Sequence, residues 1–229
     1  MKVIITGTSS GLGKALANQF VELGHETIGI SRSNSKETKY VCDLSEDRNI
    51  KNTLSKITTE YANKSIEYLF LNAGVLGDIK KASKVENKEL QEALQVNLFA
   101  NKLIIDTFLN SKVKVKNIIM ISSGASIKAY DGWLSYCLSK AALNQLARCY
   151  AIENTDINFL SLAPGIIQTK MQDKIIEYST EKFSSIKKFK DLYGKNPSPE
   201  EIANKVIRSL GTLNKQKSGS FFDLRSIDD

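Results

Sequence analysis

Lys2-Val3-Ile4-Ile5-Thr6-Gly7-Thr8-Ser9-Ser10-Gly11-Leu12-Gly13 opens the chain, and its reading decides the fold. Lys2 to Thr6 is an apolar, β-branched run of the kind that forms a strand buried on both faces. Glycines then follow at 7, 11 and 13, while Leu12, Leu16, Phe20 and Leu23 recur at helical spacing until Gly24 stops the helix. A strand that passes through a glycine turn into a helix gathers backbone N–H groups and a positive helix end at one point. That point suits an anionic phosphate. The bland alternative is a tight turn with no ligand.

The same alternation continues outward from this unit. Residues 27–30 and 40–42 read as strands, Ile50, Leu54, Ile57 and Tyr61 mark a helix, and 68–71 a fourth strand. Leu90, Leu94, Asn97, Leu98 and Ile105 fall along one long helix leading to a strand at 117–121. A helix over 132–152, a strand over 157–162 and a closing strand over 221–224 complete the series. Ser198-Pro199-Glu200-Glu201 is a helix start, with an N-cap serine, a first-position proline and a third-position glutamate. The pattern predicts an α/β fold: a single doubly wound parallel sheet of the Rossmann type, helices on both faces, in one domain over 1–229. Residues 32–39 leave too little chain for a full crossover helix between the second and third strands.

Composition bounds the function. At 229 residues, with 25% charged and 41% hydrophobic residues, the chain suits one soluble domain. No apolar run approaches the roughly 20 residues that span a bilayer. Cys42, Cys137 and Cys149 are odd in number and lack metal-ligand spacing, which points to free thiols in a cytoplasmic setting. A single histidine, His25, argues against a histidine-based hydrolase or zinc site. The net charge of +7 invites a nucleic-acid reading, but the lysines are scattered rather than massed with aromatics. Neither nucleic acid nor membrane is an expected partner.

Farther along, Ser122-Ser123 precedes Tyr136, and Lys140 follows Tyr136 by four residues. That spacing puts Tyr136 and Lys140 on one helix face. An ammonium beside a phenol favours the phenolate, so the sequence predicts a Tyr136 pKa lowered towards working pH. Such a phenol is a general acid/base, and a serine on the preceding loop can hold the oxygen that exchanges the proton.

These residues together resemble a short-chain dehydrogenase/reductase of the compact single-domain branch, over nearly the whole chain. Thr6-Gly7-x-x-x-Gly11-x-Gly13 resembles its cofactor loop, with Ser9, Ser10 and Leu12 inside it. Asp43-Leu44 resembles the pair that meets the adenine, and Asn72-Ala73-Gly74 the stretch that buttresses the sheet beside the cofactor. Leu71 stands where that stretch usually has another asparagine. Val96-Asn97-Leu98 resembles the helical asparagine of the catalytic set, and Ser123, Tyr136 and Lys140 match its other three members. Pro164-Gly165-Ile166-Ile167-Gln168-Thr169 resembles the turn that holds the nicotinamide amide through the Ile167 backbone and the Thr169 hydroxyl.

The resemblance implies hydride transfer between a nicotinamide and a carbonyl carbon of a small-molecule substrate. Tyr136 would then donate the proton, and Lys140 would tune it and bind the ribose. Ser123 would orient the substrate, Asn97 would hold a relay water, and Ser122 would be structural. Dinucleotide folds that use NAD carry an acidic residue at the end of the second strand. Ser31-Arg32 stands there instead, which favours a 2′-phosphate and predicts NADP(H), with reduction as the working direction.

For the pocket, the sequence offers residues 124–128, Leu76-Gly77, Trp133 and the segment 170–193, with Trp133 as either substrate wall or core anchor. Met171, Ile175, Ile176, Tyr178 and Phe183 give an amphipathic lid or ordinary core. The stretches around Ser123, Trp133 and Thr169 are most similar to benzil reductases and sepiapterin reductases, implying a diketone or activated carbonyl substrate. The alternatives are a 3-oxoacyl thioester reductase and a catalytically idle dinucleotide sensor or scaffold. Ala141, Ala142, Leu143, Leu146, Ala147 and Tyr150 leave little of their helix polar, which together with the resemblance implies a homodimer or homotetramer.

Overall fold

The computed structural model describes residues 1–227. Seven strands form one sheet: β1 Lys2–Thr6, β2 Glu26–Ser31, β3 Tyr40–Val41, β4 Ser65–Leu71, β5 Lys114–Ile121, β6 Asn158–Ala163 and β7 Ser220–Asp223. Their order is β3-β2-β1-β4-β5-β6-β7, and every neighbouring pair is parallel. The winding reverses between β1 and β4, so their carboxyl ends flank the crevice where this topology places ligands.

Alternation along the strands distributes the core. Ile4, Leu69 and Ile118 point to one face, where they pack with α2 Asp47–Glu60, α4 Ala100–Leu109 and α5 Leu134–Glu153. Val3, Ile5, Phe70 and Ile119 point to the other, against α1 Gly11–Glu22 and α8 Pro199–Arg208. The sheet is thus covered on both sides, as the near-continuous apolar strands require. The expected capping box of α8 forms: Glu201 N–H donates to Ser198 Oγ at 3.1 Å and Ser198 N–H to Glu201 Oε2 at 2.6 Å.

Three local expectations need correction. Leu23 does not join the buried face of α1; it lies just beyond the helix and is 58% exposed. Gly24, at φ 76°, turns the chain so that His25 N–H bonds back to Phe20 O before a fourth apolar turn can form. The long helix through Asn97 is broken into α3 Asn87–Leu94, a π-helical turn Gln95–Phe99, and α4. The wider turn rotates the faces, leaving Leu90, Leu94 and Leu98 only half-buried while Asn97 is fully enclosed. The third strand is also shorter than expected, ending at Val41. The expected lack of a helix within 32–39 holds.

Thr6 ties β1 to β4 where the site begins. Its Oγ1 accepts Asn72 N–H at 2.9 Å and Ala73 N–H at 3.0 Å, and its carbonyl accepts the Asn72 side-chain amide at 2.9 Å. Thr6→Val keeps the shape and removes the acceptor for two N–H groups, each costing about 1–3 kcal/mol when left unpaired. The urea midpoint should fall with an unchanged m-value. An unaltered midpoint would show that water replaces the hydroxyl.

Candidate active site

Nearly all the site residues expected from the sequence stand just beyond a strand's carboxyl end or on a helix facing that edge. Gly7 follows β1, Arg32 follows β2, Asp43 and Leu44 follow β3, Asn72-Ala73-Gly74 follow β4, Ser122-Ser123 follow β5, and Pro164 to Thr169 follow β6. Tyr136 and Lys140 lie in the first two turns of α5, and Asn97 in the π turn.

The glycine turn is a cradle that side chains would fill. A Cβ on Gly13 would stand 2.3 Å from Gly7 O, and one on Gly7, at φ 79°, 2.9 Å from the Asn72 amide nitrogen. Ser10 at the N-cap of α1 makes no side-chain cap hydrogen bond, and the first turn holds no acidic residue. This uncapped helix end fits the diphosphate of a dinucleotide. Thr169 closes over it, with Cγ2 3.3 Å from where a Gly11 Cβ would be. Gly165, at φ 90°, makes the turn that brings this segment across.

At the β2 end, Ser31 is buried and already engaged. Its Oγ donates to Ser33 O at 2.6 Å and lies 2.8 Å from Thr38 Oγ1, which also meets Thr8 and Ser35 hydroxyls at 3.1 and 2.9 Å. The sequence reading missed Thr8 and Thr38, whose hydroxyls pin the short 32–39 segment onto the sheet edge. Arg32 remains exposed, and its charge helps to hold the Asp43 carboxyl below its usual value, after the Ser45 backbone N–H that the carboxylate accepts.

Ser123, Tyr136 and Lys140 converge. Ser123 Oγ accepts Ala125 N–H at 3.1 Å, and a Ser123 hydrogen bond reaches Tyr136. Lys140 Nζ lies 5.7 Å from the centre of the Tyr136 ring and donates to Ile121 O at 2.7 Å. Ser122 is separate: its buried hydroxyl donates to Asn144 Oδ1 at 2.7 Å, a structural tie between β5 and α5. Gly74 keeps space beside Lys140, since a Cβ there would meet Asn97 Oδ1 at 3.2 Å and Lys140 Nζ at 3.4 Å.

Two electrostatic expectations change. The Tyr136 pKa is not lowered; burial pushes it up to about 12, with the Ser123 bond pulling the other way. Burial also pulls Lys140 down to about 8. Both charged forms lose water here, and Lys140 is bonded to a carbonyl rather than to the phenol, so desolvation outweighs attraction. The Asn97 amide is likewise committed: both N–H groups donate, to Val75 O at 2.8 Å and Ser139 Oγ at 2.9 Å, and Oδ1 accepts Val75 N–H at 2.8 Å. Its expected role as a water holder is reduced to one remaining Oδ1 lone pair.

A third apolar cluster surrounds Tyr136. Trp133 is buried, stacks on Phe189 at 4.9 Å and meets Tyr136 edge-on at 5.9 Å, so it is both core anchor and neighbour of the phenol. Leu76, Ile175 and Phe183 join this cluster, and Met171 and Tyr178 pack against it. α6 Lys170–Ile176 and α7 Ser185–Asp191 carry the cover. A cavity of about 440 Å³ lies between Leu76-Gly77-Asp78 and Lys174, Glu177 and Tyr178. Asp131 latches the cover down, its carboxylate accepting Ser184 N–H at 2.7 Å and Ser185 N–H at 2.9 Å. No sequence motif announced that latch, because its partners lie more than 50 residues apart.

Comparison with known proteins agrees with this geometry. The family model described as short chain dehydrogenase matches residues 1–179. Benzil reductase ((S)-benzoin forming) of Bacillus subtilis (strain 168) is 35% identical over 245 residues, spanning 98% of each chain. The 3-oxoacyl-[acyl-carrier-protein] reductase FabG of Rickettsia bellii is 31% identical over 213 residues, covering 89% of this chain and 86% of that one. The crystal structure of the KRED1-Pglu enzyme superposes with a TM-score of 0.84 at 25% identity, covering 96% and 99% of the two chains.

The Lys140 pKa has a measurable consequence. Between about 8 and the unfolded lysine value of roughly 10.4, the folded state binds fewer protons than the unfolded one. Stability therefore rises with pH across that window. Urea midpoints from pH 7 to 10 should climb for the wild type relative to Lys140→Met; parallel curves would assign Lys140 an ordinary pKa.

Proposed function

Because the chain belongs to the short-chain dehydrogenase family, we propose that it is an NADPH-dependent carbonyl reductase, acting on a diketone or similarly activated ketone. The observation that carries this reading is the convergence of Ser123, Tyr136 and Lys140 beside the glycine cradle. The similarity to a benzil reductase over nearly the full length supports the substrate class. No helix among the described residues is long and apolar enough to cross a membrane.

When bound, the reduced nicotinamide supplies the hydride. The glycine turn and the open first turn of α1 hold the diphosphate. Asp43 and Leu44 meet the adenine side, and Asn72, Ala73, Gly74, Ile167 and Thr169 border the nicotinamide half. Arg32, next to Ser31 rather than an acidic residue at the end of β2, receives the 2′-phosphate. Ser123 Oγ accepts Ala125 N–H, and its O–H, which bonds to Tyr136 in this structure, turns to the substrate oxygen. Tyr136 protonates that oxygen as the carbonyl becomes an alcohol. A phenol held near 12 is protonated at neutral pH, the form an acid catalyst needs in reduction. Lys140 has two N–H groups left after Ile121 for the ribose hydroxyls. Asn97 fixes the Val75 backbone and positions Lys140's surroundings.

The exposed apolar side chains Phe99, Leu138 and Ile152, at 46%, 45% and 81% exposure, lie on the α4–α5 side. They support a homodimer or homotetramer closed through that face, although Leu143, Ala147 and Tyr150 are already buried within one protomer.

Tyr136→Phe tests the reading. The fold and NADPH affinity should survive, while carbonyl reduction falls by about 10²–10⁴-fold. Lys140→Met should weaken NADPH binding as well as turnover. Near-native reduction by Tyr136→Phe would remove the assignment. For the cofactor, kcat/KM should favour NADPH over NADH, and Arg32→Ala should narrow that ratio; equal use of both by the wild type would contradict it.

A further inference from the structure

Gln172 is 2% exposed, yet neither its side-chain oxygen nor its nitrogen has a hydrogen-bond partner. Buried amides are almost always paired, because an unmade bond forfeits the hydration lost on burial. An amide left open on both ends is therefore a group kept for something that binds. The position of Gln172 says what that is. Within α6 only Gln172 and Ile175 are buried, one turn apart on the same face. Ile175 packs in the cluster of Tyr136, Trp133 and Leu76. Three residues before Gln172, Thr169 packs against the glycine cradle. Gln172 thus sits on the covering helix between the cofactor end and the wall of the substrate cluster.

We infer that the Gln172 side-chain amide donates to a second oxygen on the carbon next to the reacting carbonyl, so that the site selects vicinal dicarbonyls over monoketones. This rests on the carbonyl reductase reading above and adds to it the residue that sets substrate choice. Ser123 and Tyr136 take one oxygen of the pair. The neighbouring oxygen falls in an apolar, aromatic wall whose unpartnered donors are the Gln172 amide and the Trp133 indole N–H, and a carbonyl left unpaired there would be penalised. A buried donor waiting there favours a substrate that fills it and disfavours one that leaves it empty. Nothing covalent is asked of Gln172; it is a binding and specificity residue.

The test compares benzil, a vicinal diketone, with deoxybenzoin, which lacks one of the two carbonyl oxygens. The ratio of their kcat/KM values is measured for wild type, Gln172→Leu and Trp133→Phe, with NADPH affinity and the urea midpoint of each. The wild type should prefer the diketone. Gln172→Leu should lower that ratio by at least about ten-fold, the loss of one hydrogen bond. It should leave NADPH affinity unchanged and the midpoint no lower, since two orphaned polar atoms leave the interior. A wild type that prefers the diketone with an unchanged ratio in Gln172→Leu would overturn this inference and leave the reductase reading standing. Loss of the preference in Trp133→Phe instead would assign the reader to the indole N–H, also unpartnered here, and overturn it too. A fall in NADPH affinity in Gln172→Leu would place the amide on the cofactor, against the inference. A wild type that reduces neither ketone would overturn the reductase reading itself.

Discussion

A buried ammonium needs a partner, and Lys140 finds it in the last carbonyl of β5, Ile121 O at 2.7 Å. That bond sets much of the site. It fixes the first turns of α5 against the carboxyl edge of the sheet, which places Tyr136 over the loop that carries Ser123. It also uses only one of the three ammonium donors. Gly74 lies beside the lysine head, and a Cβ there would crowd Asn97 Oδ1 and touch Lys140 Nζ. The Asn97 amide then locks the Val75 backbone that follows. The π turn carrying Asn97 is the strain-tolerant element that turns its amide inward.

Burial is also what gives the phenol its character. Attraction between an ammonium and a phenolate was the sequence-level expectation, and it lost to desolvation of both groups. A tyrosine kept protonated suits donation to a developing alkoxide. That burial comes from the cluster of Trp133, Leu76, Ile175 and Phe183 around the ring.

Much of this was legible in the amino-acid order because parallel sheets concentrate function at one edge. Four strand ends are marked locally, by glycines after β1, by Asn72-Ala73-Gly74 after β4, by serines after β5 and by Pro164-Gly165 after β6. Periodicity gave the strands and most helices for the same reason. What stayed hidden depends on pairing across distance. The π turn needs an extra residue per turn that apolar spacing does not display. The Thr8–Thr38 and Asp131–Ser184 ties join segments 30 and 53 residues apart. Leu23 was misplaced because the helix ends one residue before it, at Glu22, as Gly24 turns the chain. Gln172 is invisible as a motif, since its meaning lies in the bonds it does not make.

Binding a dinucleotide and using it are separable properties of this fold, and the intact cluster of Ser123, Tyr136 and Lys140 argues for use. The most direct measurement is NADPH oxidation by the wild-type protein across a panel of vicinal diketones, pteridines, quinones and acyl thioesters, with cofactor binding measured in parallel. The account predicts NADPH binding together with turnover of the diketones. Tight NADPH binding with no turnover of any member of the panel would contradict it and leave a dinucleotide-binding protein without carbonyl chemistry.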